Sequence, residues 1–94
     1  MDIKKTPTFE RHYDERANSR IKALFRKKVR VFVKKPHDTS LNLHALKYEW
    51  AGHFSFSLTD DQGPDDYRVI LKKTKVAYRF VDFGTHNQLY RPWR

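Results

Sequence analysis

At 94 residues the chain is long enough for one compact domain spanning residues 1–94 and too short for a second. It has no cysteine, which excludes disulfides and thiolate metal sites, and no apolar run near the roughly 18 residues that a membrane helix needs. Twenty Lys and Arg against eleven Asp and Glu give a net charge of +9, a balance that favours a polyanion or an acidic protein as partner.

The first residues, Met1-Asp2-Ile3-Lys4-Lys5, lack an apolar signal core, so a cytoplasmic location is expected. The charge is uneven. Residues 1–47 hold thirteen basic and five acidic residues, whereas residues 48–94 hold seven and six. The first half carries the electrostatic footprint, and the second must be read for chemistry. Fourteen aromatic residues (seven Phe, five Tyr, two Trp) can fill a small core efficiently, because each ring buries roughly 150–250 Å².

Residues 1–8 read as a polar lead-in, in which Ile3 and its neighbours are compatible with a short edge strand before Pro7. Thr8 is the expected cap of a first helix over Phe9–Arg16, with Glu10 in its first turn. Asn18 and Ser19 announce a second helix over Arg20–Lys35. Ile21, Leu24, Phe25, Val29 and Phe32 recur there at helical spacing on one face, and Arg26, Lys27, Arg30 and Lys34 fall on the other. Lys28 lies inside the apolar arc and must snorkel or find a partner. Pro36 ends the helix.

Residues 36–43 read as a loop. Over His53–Thr59 the apolar Phe54, Phe56 and Leu58 then alternate with polar residues, the period of a half-buried strand. Residues 60–66 are rich in Asp, Gly and Pro and form a loop. Tyr67–Lys72 is the next predicted strand, Lys73-Thr74 a turn, and Lys75–Phe83 the last strand, broken by Gly84. Residues 85–94 are read as a short tail. Helices followed by hairpin-linked strands predict an α+β fold, with two N-terminal helices packed on an antiparallel sheet of three to four strands.

Four segments carry a resemblance: Leu43-His44-Ala45-Leu46; Trp50-Ala51-Gly52-His53-Phe54-Ser55-Phe56-Ser57; Tyr67-Arg68-Val69-Ile70; and Asp82-Phe83-Gly84-Thr85-His86-Asn87-Gln88-Leu89-Tyr90. Together they resemble the RelE/ParE toxin superfamily, and within it the RelE/StbE and YafQ-like branch. That branch has an H-x-L element, a serine-containing strand, a YR-[IV]-[IV] strand and a terminal G-[ST]-H-x-x-[LV]-[YF] in this order. The resemblance spans roughly residues 6–91. It implies a helical hairpin on a twisted antiparallel sheet, a metal-free endoribonuclease that cuts mRNA, usually in the ribosomal A site, and silencing by a cognate antitoxin. No cofactor is expected, and the lack of a long apolar run gives no expectation of a membrane partner. The chain departs from the pattern in a longer 60–66 loop and in Ser57, which stands where the YafQ-like pattern has His.

Metal-free RNA cleavage needs a base for the 2′-OH, a cation for the crowded phosphate and an acid for the leaving oxygen. His86, after the Gly84-Thr85 break, is the first candidate for acid–base work and matches the motif His. His44, the H-x-L histidine, is its expected partner or a phosphate ligand, against the alternative of a loop His packing beside Leu43 and Leu46. Arg68 is the candidate for transition-state charge, against a cross-strand salt bridge. Tyr90 stacks on a base or plugs the core. Asp61 is a candidate to orient a histidine, and Ser57 a weak hydroxyl contact. Arg26, Lys27, Arg30 and Lys34 are the expected RNA-binding face, open also to an acidic antitoxin segment. His12, His37 and His53 show no metal-ligand spacing with one another or with His44, so no metal site is expected. The same scaffold also serves ParE-like inhibitors of DNA gyrase, and a non-catalytic RNA- or protein-binding module would need the same basic face.

Overall fold

The computed structural model describes residues 2–58 and 66–90. In chain order the elements are β1 (Asp2–Lys5), α1 (Pro7–Arg16), α2 (Ser19–Lys34), β2 (His44–Ala45), β3 (Phe54–Ser57), β4 (Tyr67–Lys73), β5 (Ala77–Thr85) and α3 (His86–Tyr90). Short 3-10 turns lie at Thr39–Leu41 and Tyr48–Trp50. The strands form one sheet in the order β1-β5-β4-β3-β2. β2 to β5 pair antiparallel, and β1 runs parallel to β5. The α+β class and the helix pair are as expected. The sheet is larger than expected, with five strands, and mixed, because β1 and the two-residue β2 each extend an edge.

Local chemistry explains the helix starts. α1 is capped by Thr6, not Thr8. The Thr6 side chain accepts from the Phe9 N–H at 3.0 Å, and Pro7 occupies the first turn, where its missing N–H costs nothing. The Thr6 hydroxyl also donates to the Val81 carbonyl at 2.9 Å, which ties the start of α1 to β5. Asn18 caps α2 by accepting from the Ile21 N–H at 2.9 Å. On α2, Ile21, Phe25 and Phe32 are buried, and Lys28 reaches out of the apolar arc to donate to the Ser40 carbonyl at 3.0 Å.

β5 lies two residues later than expected, because Thr74 closes a turn with Ala77 through its backbone N–H and its side chain. Gly84 does not break the strand but sits within it, and the expected tail begins as α3. Between Ile70, which pairs with Asp82, and Leu71, which pairs with Phe80, Val81 has no partner. This bulge changes which face each residue of β5 presents. Both Phe83 and Phe80 thereby turn toward the helices, and Arg79 turns away from them.

The sheet therefore has two distinct faces. Phe56, Val69, Leu71, Phe80 and Phe83 face α1 and α2 and form the core with Phe9, Ile21, Phe25 and Phe32. Phe32 stacks on Phe56 with centroids 5.2 Å apart, and Phe9 meets Phe80 and Phe83 at 5.6 and 6.0 Å. Each fully buried Phe contributes roughly 1.5–3 kcal/mol of transfer free energy, so this cluster dominates the stability of so short a chain. By register, His44, Ser55, Ser57, Arg68, Ile70, Lys72, Arg79 and Gly84 occupy the opposite, open face.

β1 pairs with β5 only from Ala77 to Phe80. Beyond that point α1 covers the edge. Arg16 Nη1 donates to the Phe83 carbonyl at 2.9 Å, and His12 Nδ1 meets Asp82 Oδ1 at 2.6 Å. The Arg16 bond satisfies a carbonyl that an edge strand would otherwise leave open to another chain.

Candidate active site

The open face becomes a site where α3 folds back over it. Gly84 permits this. A Cβ there would lie 2.7 Å from Arg16 Nη1 and 2.9 Å from Gln88 Oε1. Thr85 and Gln88 brace the start of α3 reciprocally: the Thr85 N–H donates to Gln88 Oε1 at 2.8 Å, and the Gln88 N–H donates to Thr85 Oγ1 at 3.3 Å. The 48–50 turn meets α3 from the other side, where Trp50 Nε1 donates to the Leu89 carbonyl at 3.3 Å. Leu89 and Ile70 are buried, yet neither joins the main core. They supply apolar support on the open side.

Arg68 stands at the centre of this end of the sheet, paired in register with Ser57 on one side and Gly84 on the other. Its Nε and Nη2 both donate to Asp66 Oδ2, at 3.1 and 2.7 Å. The two side chains are about one-seventh exposed, at 14% and 16%. Burial opposes the charge of Arg68, but hydrogen bonding and charge from Asp66, with smaller contributions from Tyr90, outweigh it and raise its pKa above the ordinary value. The salt bridge is thus formed with a residue two positions away along the chain rather than across strands. Asp66 Oδ1 and Ser57 Oγ are buried without a hydrogen-bond partner among the described residues. Two acceptor-capable oxygens therefore sit beside a charged guanidinium, with bonding capacity unused.

His86 opens α3 and is exposed. Its backbone N–H donates to the Asp66 carbonyl at 3.1 Å, so the residue that holds Arg68 also fixes the position of His86. Tyr90, one turn later, is half-buried and meets the His86 ring edge-to-face with centroids 4.9 Å apart. Asp66, Arg68, His86 and Tyr90 therefore form one connected group.

His44 lies on the same face but not in that group. It pairs with Ser55 on the sheet edge, two strands from Arg68 and one row along. Sheet spacing puts the two Cα atoms about 12 Å apart. His44 Nδ1 lies 2.9 Å from the Asn42 carbonyl, and Nε2 lies 3.4 Å from Ser55 Oγ. A carbonyl can only accept, so Nδ1 carries the proton in the neutral ring and Nε2 presents its lone pair.

Asp61 lies outside the described residues. Arg26, Lys27, Arg30 and Lys34 are exposed on α2, which packs against the other face of the sheet. The structure does not bring them to His86, Arg68 or His44. Among the described residues, no three His, Asp or Glu side chains stand close enough to share a metal ion.

Sequence reading missed Asp66, although a carboxylate two residues before a strand arginine lies on the same side of that strand, and this was a usable signal. It also missed Ser55, and it missed Lys4, Lys72 and Arg79, which are exposed on the open face. No local pattern marks those three, because distant chain segments bring them together.

No family model and no curated protein matches this sequence. Solved structures do. YafQ from E. coli superposes with a TM-score of 0.72 at 20% identity, covering 95% of this chain and 97% of that one. A structure of the E. coli DinJ–YafQ complex matches with a TM-score of 0.65 at 23% identity and the same coverage. A YoeB/ParE toxin from Agrobacterium tumefaciens matches with a TM-score of 0.71 at 17% identity, covering 92% of this chain and 99% of that one. Two helices against one face of the sheet, with a short third helix closing over the other, are therefore a fold that this chain shares with the YafQ and YoeB/ParE toxin structures, over 95% and 92% of its length.

Proposed function

We propose that this chain is the toxin of a toxin–antitoxin pair and acts as a metal-independent endoribonuclease on mRNA, with its site on the open face of the sheet. The observation that supports this reading best is the grouping of His86, Tyr90 and Arg68 around Asp66 at the open end of the sheet. An exposed imidazole, a half-buried aromatic ring and a largely buried guanidinium supply the side-chain chemistries that RNA cleavage and base stacking use.

In this mechanism the neutral His44 ring takes the 2′-OH proton at Nε2. The 2′-oxygen attacks phosphorus, and the bond to the 5′-oxygen breaks as His86 supplies the proton. The products are a 2′,3′-cyclic phosphate and a 5′-hydroxyl. Arg68 lies between the two histidines across the sheet and stabilises the crowded phosphate once a ligand draws it from Asp66. Tyr90 stacks on a base beside His86. A cognate antitoxin is the expected protein partner, by analogy with the DinJ–YafQ complex. The basic face of α2 lies on the other side of the sheet and is left for a second polyanion, ribosomal RNA or an acidic antitoxin segment.

A second reading, a ParE-like inhibitor or a non-catalytic binding module, draws on one observation. Arg68 already has a carboxylate partner and is not a free phosphate ligand in this state. Induced expression separates the readings. The nuclease reading expects growth arrest with cuts in translated mRNA mapped by primer extension, and loss of both in folded His86→Ala. Arrest without RNA cuts would favour a gyrase-type target, and no arrest would favour a binding module.

A further inference from the structure

Register places three cations side by side on the open face. Lys4 on β1 pairs with Arg79 on β5, and Arg79 pairs with Lys72 on β4. Their neighbours fix the side on which they stand. Lys5 lies over the Phe25 ring and Tyr78 packs on Phe32, both on the helix side, so Lys4 and Arg79 point away from the helices. All three residues are exposed, and none makes an ion pair among the described residues. Among the described residues, Asp66 is held by Arg68 and Asp82 by His12, and Asp2, two residues before Lys4 along β1, makes no ion pair with any of the three.

Like charges directly across strands repel, so a row of three weakens the sheet unless an anion compensates. The row lies two residues along β4 from Ile70 and four from Arg68, on the same face. At about 3.3 Å per residue this is about 13 Å, within the span of a few nucleotides. A cationic track at one end of a face and aromatic rings, Tyr90 and Trp50, at the other is the combination that holds single-stranded nucleic acid: charge follows the backbone and rings receive the bases. An acidic peptide would use the cations but not the rings.

We propose that Lys4, Arg79 and Lys72 form a phosphate-binding track that holds the backbone of a single-stranded RNA as it crosses the open face toward Arg68 and His86. This rests on the reading of the chain as a ribonuclease, and its test does not require cleavage.

The probe is a fluorescent single-stranded 2′-O-methyl RNA dodecamer, whose blocked 2′-oxygen prevents cleavage. Its binding to the wild-type chain is measured across a salt series. The comparison variants are Lys4→Gln/Lys72→Gln/Arg79→Gln and, with a similar charge change on the opposite side, Arg26→Gln/Lys27→Gln/Arg30→Gln/Lys34→Gln. Each phosphate left without its cation makes the slope of log affinity against log salt shallower by about 0.7. The track variant is expected to lose about two units of slope and at least tenfold in affinity at low salt, while keeping or raising its urea midpoint because repulsion is removed.

An unchanged slope in the track variant overturns the proposal. So does a loss confined to the α2 variant, which would put the RNA on the other side of the molecule. If the track variant binds RNA normally but loses affinity for a polyglutamate peptide, the face serves an acidic protein and the proposal also fails. If the track carries RNA binding while wild type cuts no mRNA, the track stands and the nuclease reading falls. If wild type cuts mRNA and the track variant binds as wild type does, only the track falls.

Discussion

Arg68 and Asp66 are two residues apart in sequence, and a single carboxylate oxygen of Asp66 receives two N–H bonds from the Arg68 guanidinium. The same Asp66 accepts the His86 N–H through its backbone carbonyl. One residue thus holds both the guanidinium of Arg68 and the backbone that carries the His86 ring.

Removing the carboxylate alone strands a buried guanidinium. Asp66→Asn should lower unfolding stability by roughly 3–5 kcal/mol, read from urea denaturation. Asp66→Asn/Arg68→Met should recover most of that loss, because it removes the buried charge as well. A single-variant cost below about 1 kcal/mol would mean that the pair is more hydrated than its burial indicates.

Gly84 lies directly against Gln88 of α3 and Arg16 of α1. In Gly84→Ala the new methyl must push back both Arg16, which holds the Phe83 carbonyl, and Gln88, which holds the Thr85 N–H. The expected cost is about 1–3 kcal/mol in stability. Because α3 carries His86 and Tyr90, RNA cleavage should fall by about a hundredfold, the usual consequence of a displacement near 1 Å. Retention of full cleavage would show that α3 adapts without moving the imidazole.

His44 is exposed, and its role in the proposed mechanism is proton transfer. His44→Ala should leave stability within about 0.5 kcal/mol of wild type while reducing cleavage by about 10²–10⁴-fold. Ser55→Ala removes the hydroxyl 3.4 Å from Nε2 and should change cleavage far less. Equal losses in the two variants would indicate that the hydroxyl and the ring act as one unit.

Asp38 caps the turn that precedes β2. Hydrogen bonds from Ser40, side chain first and backbone second, hold its carboxyl pKa below the ordinary value. The sign follows from linkage: a depressed carboxyl contributes stability above its unfolded pKa of about 3.9, and that contribution disappears as pH falls through the lower folded value. The urea midpoint of Asp38→Asn should therefore fall less between about pH 5 and pH 2 than that of wild type, measured at intervals of about one pH unit. Parallel curves for the two proteins would remove Asp38 from the acid sensitivity of the fold.

Much of the fold was legible in local pattern. The apolar stripe Ile21-Leu24-Phe25-Val29-Phe32 and the Asn18 cap located α2 to within a residue, because helix period and capping are properties of neighbouring residues. The alternation of Phe54, Phe56 and Leu58 located β3. The ordered H-x-L, YR and GTH segments pointed to the fold that the solved structures share. His86, Arg68 and Tyr90 were named as candidates, and these three stand together.

The tertiary structure decided the rest. An unbroken alternation from Phe83 back through β5 would have put Arg79 toward the helices and Phe80 on the open face. The unpaired Val81 reverses this, burying Phe80 and placing Arg79 between Lys4 and Lys72. Those three cations come from segments as far apart as residues 4 and 79, so no local pattern marks them. Likewise the basic stripe of α2 was plain in the sequence, but the side of the molecule it occupies was not. Local sequence sets the period of each element, whereas pairing register, and here a single bulge, sets the face on which each charge stands.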